Sequence, residues 1–195
     1  MPIQKQLEIL VVEDSPEHIE SAKIAFPGPD FNLTLAKDYF EARKLITPLL
    51  KCSPEDGNWD KFWKEYREEF EELKETGQVK SKFDVVLTDL LMPTSPTSDE
   101  DYQSGYGFPI ALMAAKYGVP NIAVVTRGNH HQERIIHGLE DISGQSFEKA
   151  LRGGFRRIDN SNVLFTCAPV YDHNGIWVKD WKKVYDALVT YDPKK

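Results

Sequence analysis

The sequence predicts an α/β fold, a doubly wound sheet of parallel strands with helices on both faces. Short apolar runs rich in β-branched residues alternate along the chain with helical patterns. Alternation of this kind is typical of parallel sheets with crossover helices. The runs are also almost continuously apolar, as expected for strands that are buried on both faces. We therefore expect a central sheet of five parallel strands.

The first strand is predicted at LEILVV, residues 7–12. Ser15 and Pro16 follow it as the N-cap and first residue of a helix that runs to Ala25, because a hydroxyl at the cap and a proline in the first turn favour helix initiation. FNLTLA, residues 31–36, predicts the second strand.

The next two elements have equally local signals. Asp38 and Glu41 have the spacing of a capping box and predict a helix over YFEARKLI, since each side chain can satisfy a free backbone N–H group. FDVVLTD, residues 83–89, predicts the third strand. It ends in a single carboxylate, Asp89.

The second half of the chain continues the alternation. GFPIALMAAKYG predicts a helix ended by Gly118, and NIAVVT (121–126) and NVLFTCA (162–168) predict strands four and five. Asn174 and Gly175 lie between apolar flanks and predict a local hairpin, because this pair favours the tight turn of a two-residue hairpin. A last helix is predicted to begin after Asp180.

Two segments exceed this minimal fold. Residues 51–82 have aromatic and leucine residues at helical spacing and predict an inserted amphipathic helix. The apolar stripe comprises Trp59, Phe62, Trp63, Tyr66, Phe70 and Leu73. Residues 127–161 predict a long connection with helices around 132–139 and 147–151 that covers part of the sheet. We expect one domain, residues 1–195, with these two additions.

The composition limits the classes of function. Hydrophobic residues make up 41% and charged residues 28% of the chain, and no apolar run is long enough to span a bilayer. A net charge of −7 argues against direct nucleic-acid binding, which needs clustered Lys and Arg. Two cysteines suit a reducing compartment, and the N-terminal sequence lacks a signal-peptide pattern. We therefore expect a cytoplasmic protein.

Carboxylates lie at the predicted ends of two strands. Glu13 and Asp14 follow strand one, Asp89 ends strand three, and Thr126 ends strand four. In the flavodoxin-like order 2-1-3-4-5, strands one and three are neighbours, and ligands bind beyond their carboxyl ends. Converging carboxylates require a cation, and an oxygen-only set suits Mg²⁺ bridging to phosphate. The sequence therefore predicts a magnesium-phosphate site.

At these residues the sequence resembles the receiver domain of two-component response regulators. VVEDS has the paired acids, DVVLTDLLMP has the D-x-x-M-P phosphoacceptor motif, and VVT has the hydroxyl at the end of strand four. The resemblance covers most of the chain, apart from residues 51–82 and parts of 94–107, 127–161 and 170–178.

The resemblance implies a role for each site residue. Asp89 would accept a phosphoryl group from a histidine kinase, a phosphotransfer protein or a small donor. Glu13, Asp14 and Asp89 would hold Mg²⁺, together with the backbone carbonyl of Leu91. Thr126 would hydrogen-bond the bound phosphoryl group as the switch hydroxyl. Output would run through a downstream protein partner, so the protein would catalyse at most its own phosphorylation and dephosphorylation.

Two features depart from the family pattern. The segment SPTSDEDYQSGYG (95–107) is longer and more acidic than the usual short loop of receivers. Receivers usually have a lysine before a proline at the end of strand five, but here Ala168 precedes Pro169. Arg127 is the first candidate for a substitute cation, although its bulk could instead narrow access to Asp89. Lys179 is the weaker candidate.

Two alternatives therefore stay open. One is a pseudo-receiver, an interaction module that works without phosphorylation. The other is a Mg²⁺-dependent phosphohydrolase. Haloacid-dehalogenase-type phosphatases, which also use a strand-end Asp, normally have a second acid two residues further on, and the apolar Leu91 at that position disfavours this alternative.

Overall fold

The computed structural model describes residues 5–47, 80–93, 95, 105–127 and 154–191. Within the predicted insertion at 51–82 it also describes a set of separate residues before residue 80. These are Asp60, Lys64, Arg67, Glu68, Glu71, Glu72, Glu75 and Thr76.

A six-stranded sheet in the order β2-β1-β3-β4-β6-β5 forms the centre of the described structure. The strands are β1 (Leu7–Val12), β2 (Phe31–Ala36), β3 (Val85–Asp89), β4 (Asn121–Thr126), β5 (Phe155–Ile158) and β6 (Ser161–Cys167). A separate hairpin comprises β7 (Val170–His173) and β8 (Ile176–Lys179). The helices of the described residues are α1 (Pro16–Ala25), α2 (Tyr39–Ile46), α3 (Gly107–Lys116) and α4 (Trp181–Val189).

The predicted α/β class with a mainly parallel sheet is confirmed. The strand count and the complete strand order differ from the prediction, because β5 adds a sixth strand antiparallel to β6. Sequence reasoning assigned residues 155–158 to the connection between strands four and five. Arg156 and Arg157 are adjacent and both exposed, so this edge strand lacks the regular alternation that would have indicated it.

Both faces of the sheet are covered, as a doubly wound fold requires. Alternate residues of β1 enter different cores: Leu10 packs with the cluster that includes α2 and α3 residues, whereas Ile9 packs with residues of α1 and α4. Period-two alternation puts successive side chains on opposite faces. This double burial explains why the strand sequences read as continuous apolar runs.

The hairpin forms where the sequence predicted it. Asn174 and Gly175 both have positive φ, 55° and 83°, the combination that a two-residue turn of the right twist requires. β8 packs against α1, and the hairpin closes through a hydrogen bond of 2.7 Å from Asp180 N to Pro169 O.

The two predicted additions can be compared with the structure only at the residues that it describes. Seven residues between 60 and 75 are helical and exposed, in agreement with a helix there, but the aromatic stripe lies outside the described residues. The helices expected around 132–139 and 147–151 also lie outside them. None of the helices in the described ranges combines the length and apolar character needed to cross a bilayer.

Candidate functional site

Three carboxylates meet at the carboxyl-terminal edge of the sheet. β1 and β3 are parallel neighbours, with Val12 paired to Thr88, so the residues that follow these two strands emerge side by side. Oxygen atoms of Glu13, Asp14 and Asp89 all lie within 4.8 Å of one another. The structure thus brings together the three acids that the sequence identified.

Lys179 brings a positive charge into this cluster. Its Nζ lies 2.6 Å from Glu13 Oε2 and 3.0 Å from Asp89 Oδ1. The Lys179 side chain is 1% exposed, and that of Asp89 is 13% exposed. A buried ammonium group requires compensation of this kind, because taking an isolated charge out of water is costly.

The location of Lys179 follows from the hairpin. Lys179 pairs with Val170 across the hairpin, and Asp180 N bonds to Pro169 O. The chain therefore leaves the end of β6 after Pro169, makes the hairpin and returns to the same place. Residues 170–178 separate Lys179 from Pro169 in sequence, but the two residues lie close together in space.

Burial and charge together shift the pKa values of the cluster. Burial raises the pKa of Glu13 to about 7, and Asp89 adds to this rise while Lys179 opposes it. Burial also raises the pKa of Asp89 above its ordinary value, against the opposing effect of Lys179. For Lys179, burial lowers the pKa, but Asp89 and Glu13 outweigh burial and leave it raised. Lys179 is therefore charged, whereas burial makes the carboxyl groups of Glu13 and Asp89 easier to protonate than free acids.

The backbone around Asp89 fixes its carboxylate. Asp89 Oδ1 accepts hydrogen bonds from Leu90 N, at 2.9 Å, and from Lys179. Gly107, at the start of α3, donates from its N–H group to Leu90 O at 3.0 Å. A Cβ atom on Gly107 would lie 2.0 Å from the Asp89 carbonyl oxygen. Only glycine allows this close approach of α3 to the end of β3.

A cavity of about 310 Å³ opens beside these groups. It combines the carboxylate of Asp89, the ammonium group of Lys179 and the buried Thr126 at the end of β4. The full lining is Ser15, Glu17, His18, Asp89, Leu91, Thr126, Arg127 and Lys179. A space of this size with anionic, cationic and hydroxyl groups can admit a phosphoryl group and part of its donor.

The guanidinium group of Arg127 makes its contacts with the hairpin and α1. Its NH1 atom lies 3.0 Å from His18 Nε2 and donates to Trp177 O at 3.0 Å. Lys179, the weaker candidate in the sequence, is the cation that contacts Glu13 and Asp89. In the sequence, Lys179 directly precedes Asp180, the cap of the last helix. The burial of Lys179 depends on the docked hairpin.

Comparison of the chain with protein-family models, curated proteins and solved structures finds no match. The fold and the site alone define the class: a mainly parallel α/β protein with a buried carboxylate–ammonium cluster at the ends of its strands.

Proposed function

We propose that this protein is a flavodoxin-like receiver in which Asp89 accepts a phosphoryl group with the help of Mg²⁺. The observation that carries the proposal is the buried ammonium group of Lys179, which contacts both Asp89 and Glu13 at a cavity shared with Thr126. A nucleophilic carboxylate, an acidic pair, a hydroxyl and a cation are thereby assembled. These groups suit acyl phosphate formation.

The donor set fits a magnesium ion. Oxygen atoms of Glu13, Asp14 and Asp89 lie within 4.8 Å of one another, and hard divalent cations prefer oxygen ligands. The cluster has three acidic groups, and the ammonium group of Lys179 contacts two of them, so a bound cation would offset the remaining charge. The carbonyl of Leu91 would complete the protein ligands. When bound, Mg²⁺ supplies positive charge that lets an anionic donor approach these carboxylates.

Asp89, Lys179 and Thr126 would each have a different role in the transfer. The contacts of Leu90 N and Lys179 fall on Asp89 Oδ1, so we assign the attack on phosphorus to Oδ2. The Oδ2–P bond forms while the bond from phosphorus to the donor atom breaks, and the leaving group takes that electron pair. Lys179 and Thr126 then stabilise the oxygens of the transferred group, because positioned donors in a buried site interact strongly with developing charge.

The proposed donor is a histidine kinase or a phosphotransfer protein, and the proposed output is binding to a downstream protein partner. A phosphoryl group adds negative charge and strong acceptor oxygens. Thr126 precedes Arg127, which bonds to the hairpin, so a shift of Thr126 toward the phosphoryl group would reach the surface there. A local change at Asp89 would thereby alter a surface that is distant from the site.

Intact mass after incubation with Mg²⁺ and acetyl phosphate tests the proposal. We expect a gain of one phosphoryl group in the wild type, loss of that gain in hydroxylamine, and no gain in Asp89→Asn. Asp186→Asn serves as the control, because this exposed acid pairs with Lys182 on α4 and should be phosphorylated normally. A gain in Asp89→Asn equal to that of the wild type would contradict the assignment.

The existing ion pairs also favour a second candidate, a pseudo-receiver that signals without phosphate. Lys179 already contacts two carboxylates, so the cluster is a structural unit without any added ion. This candidate predicts no mass gain from acetyl phosphate or from a cognate kinase, and no binding of Mg²⁺ by calorimetry. Continuous release of phosphate from an ester substrate would instead favour a phosphohydrolase.

A further inference from the structure

The position of Lys179 depends on contacts between residues that are far apart in sequence. It belongs to the β7–β8 hairpin, which is outside the six-stranded sheet, yet its ammonium group is 1% exposed and lies among carboxylates at the sheet edge. A two-stranded hairpin is only marginally stable in water by itself. Contacts from the body of the protein must therefore hold this hairpin in place.

Arg127 supplies one such contact at the end of β4. Its NH1 atom donates to Trp177 O on β8 at 3.0 Å and lies 3.0 Å from His18 Nε2. Because a guanidinium group can only donate, His18 Nε2 must be the acceptor. A single nitrogen of Arg127 thus joins β4, α1 and β8.

His18 supplies the second contact, from α1. The residue is 4% exposed, and its ring packs against β8, with Nδ1 3.4 Å from Lys179 N. This is a packing contact and not a hydrogen bond, because Nδ1 carries the proton when Nε2 accepts from Arg127. Its main-chain oxygen accepts a hydrogen bond of 3.0 Å from Trp181 Nε1. The segment that contains Lys179 is therefore held to His18 by the hydrogen bond from Trp181 and by packing of the ring against Lys179.

We infer that Arg127 and His18 are positioning residues that tie the β7–β8 hairpin to the sheet and so hold the Lys179 ammonium group at the carboxylate cluster. Arg127 then acts on the site through Lys179, and not as the substitute cation itself. The chemical consequence, slower phosphorylation of Asp89 when the tie is lost, rests on the proposed function.

The first experiment measures the position of Lys179 without any phosphate. The full-length protein is acetylated with an amine-reactive reagent, and the labelling rate of Lys179 is followed by peptide mass spectrometry. Lys23, whose side chain is 52% exposed, gives the internal reference. We expect Arg127→Ala to label Lys179 about tenfold faster, as loss of hydrogen bonds from a charged donor would allow.

The control is Arg156→Ala, which removes the same charge from an exposed position on β5 at the far edge of the sheet. We expect this variant to label Lys179 at the wild-type rate. A residue that only contacted a phosphoryl group would leave the labelling rate unchanged in the unphosphorylated protein. Equal rates in Arg127→Ala and the wild type would therefore overturn the inference.

Hydrogen exchange of residues 170–179 tests whether the hairpin is the link. We expect faster exchange of these amides in Arg127→Ala, in parallel with the labelling of Lys179. Faster labelling without faster exchange would overturn the inference, since Arg127 would then act by another route.

Variants of His18 test the other half of the tie. His18→Leu should resemble Arg127→Ala, whereas His18→Gln keeps an acceptor oxygen for Arg127 and should restore most of the protection of Lys179. Equal labelling in these two variants would overturn the role of the ring acceptor. If buried His18→Leu does not fold, His18→Gln decides alone: labelling of Lys179 as fast as in Arg127→Ala would overturn the role of the ring acceptor.

A final measurement separates this inference from the proposed function. The rate of Asp89 phosphorylation by acetyl phosphate should fall in Arg127→Ala by about the same factor as the protection of Lys179. If the wild type accepts no phosphoryl group from any donor, the proposed function fails, and the labelling result still decides the positioning role. A wild-type rate of Asp89 phosphorylation in Arg127→Ala, together with faster labelling of Lys179, would overturn the expected link between the position of Lys179 and phosphorylation.

Discussion

The sheet and the β7–β8 hairpin contribute to the same site in different ways. The sheet delivers Asp14 and Asp89 at adjacent strand ends, and the register of β1 with β3 fixes their separation. The hairpin delivers Lys179 from outside the sheet, and its position depends on docking against α1. The comparison teaches that the anionic half of the site follows from sheet topology, while the cationic half follows from tertiary contact.

The largest effect should come from removing the cation. Lys179→Met leaves Glu13 and Asp89 buried without a counter-charge, and loss of one partner of a buried ion pair typically costs about 3–5 kcal/mol. We expect a loss of that order in the free energy of unfolding, measured by urea denaturation at pH 8.

The control for that experiment is Lys183→Met. The Lys183 side chain is 61% exposed and pairs with Asp180, and exposed pairs contribute about 1 kcal/mol or less. Equal losses in the two variants would mean that the buried cluster contributes no more than a surface pair.

The next effect should come from the sheet side of the comparison. In Gly107→Ala, the new Cβ atom would lie 2.0 Å from Asp89 O, so α3 or the end of β3 must shift, at a cost of about 1–3 kcal/mol. We expect lower stability and slower phosphorylation together. Gly28→Ala is the matched control because no atom beyond its two chain neighbours lies within 4 Å of its Cβ position. Wild-type stability in Gly107→Ala would show that the contact is easily relieved.

A smaller effect should come from the hairpin turn. Gly175 has φ of +83°, and an L-residue in a left-handed conformation costs about 1–2 kcal/mol. We expect Gly175→Ala to destabilise the hairpin and to accelerate hydrogen exchange in β7 and β8, with little change in the exchange of β1 and β3. Equal acceleration in the sheet would mean that hairpin and sheet open as one unit.

The smallest effect is a pH dependence in which Glu13, at the sheet edge, and His18, the α1 residue that contacts the hairpin, act in opposite directions. The pKa of Glu13 is raised from 4.5 to about 7, so the folded state binds more protons and its stability falls as the pH rises through that window. The pKa of His18 is lowered from 6.5 to about 4, first by burial and then by Lys179 and Arg127. His18 therefore reduces stability as the pH falls from 6.5 toward 4.

Urea midpoints measured in a chelating buffer test this balance. Above pH 6.5 the contribution of Glu13 is no longer opposed by His18, so the wild-type midpoint should fall between pH 6.5 and 8. Glu13→Gln should fall less steeply over the same range. A midpoint that rises in the wild type from pH 6.5 to 8 would contradict the raised pKa of Glu13.

Local sequence signals were sufficient for most of the fold. Each apolar run became a strand within a residue or two of its expected limits, and Asp38 and Asp180 cap their helices through side-chain bonds to Glu41 N and Lys183 N. Burial on both faces makes parallel strands recognisable in sequence. β5 could not be recognised in this way, because it lies at the edge and exposes two adjacent arginines.

The sequence by itself determined the carboxylates of the site, because strand ends and strand order bring Glu13, Asp14 and Asp89 to one edge of a parallel sheet. Only the tertiary structure decided which cation joins them. Arg127 is adjacent to Thr126 in sequence but bonds to Trp177 O, whereas Lys179 is remote in sequence and contacts the acids. Backbone topology positions residues at strand ends, but side-chain contacts across a docked hairpin depend on packing that no local pattern records.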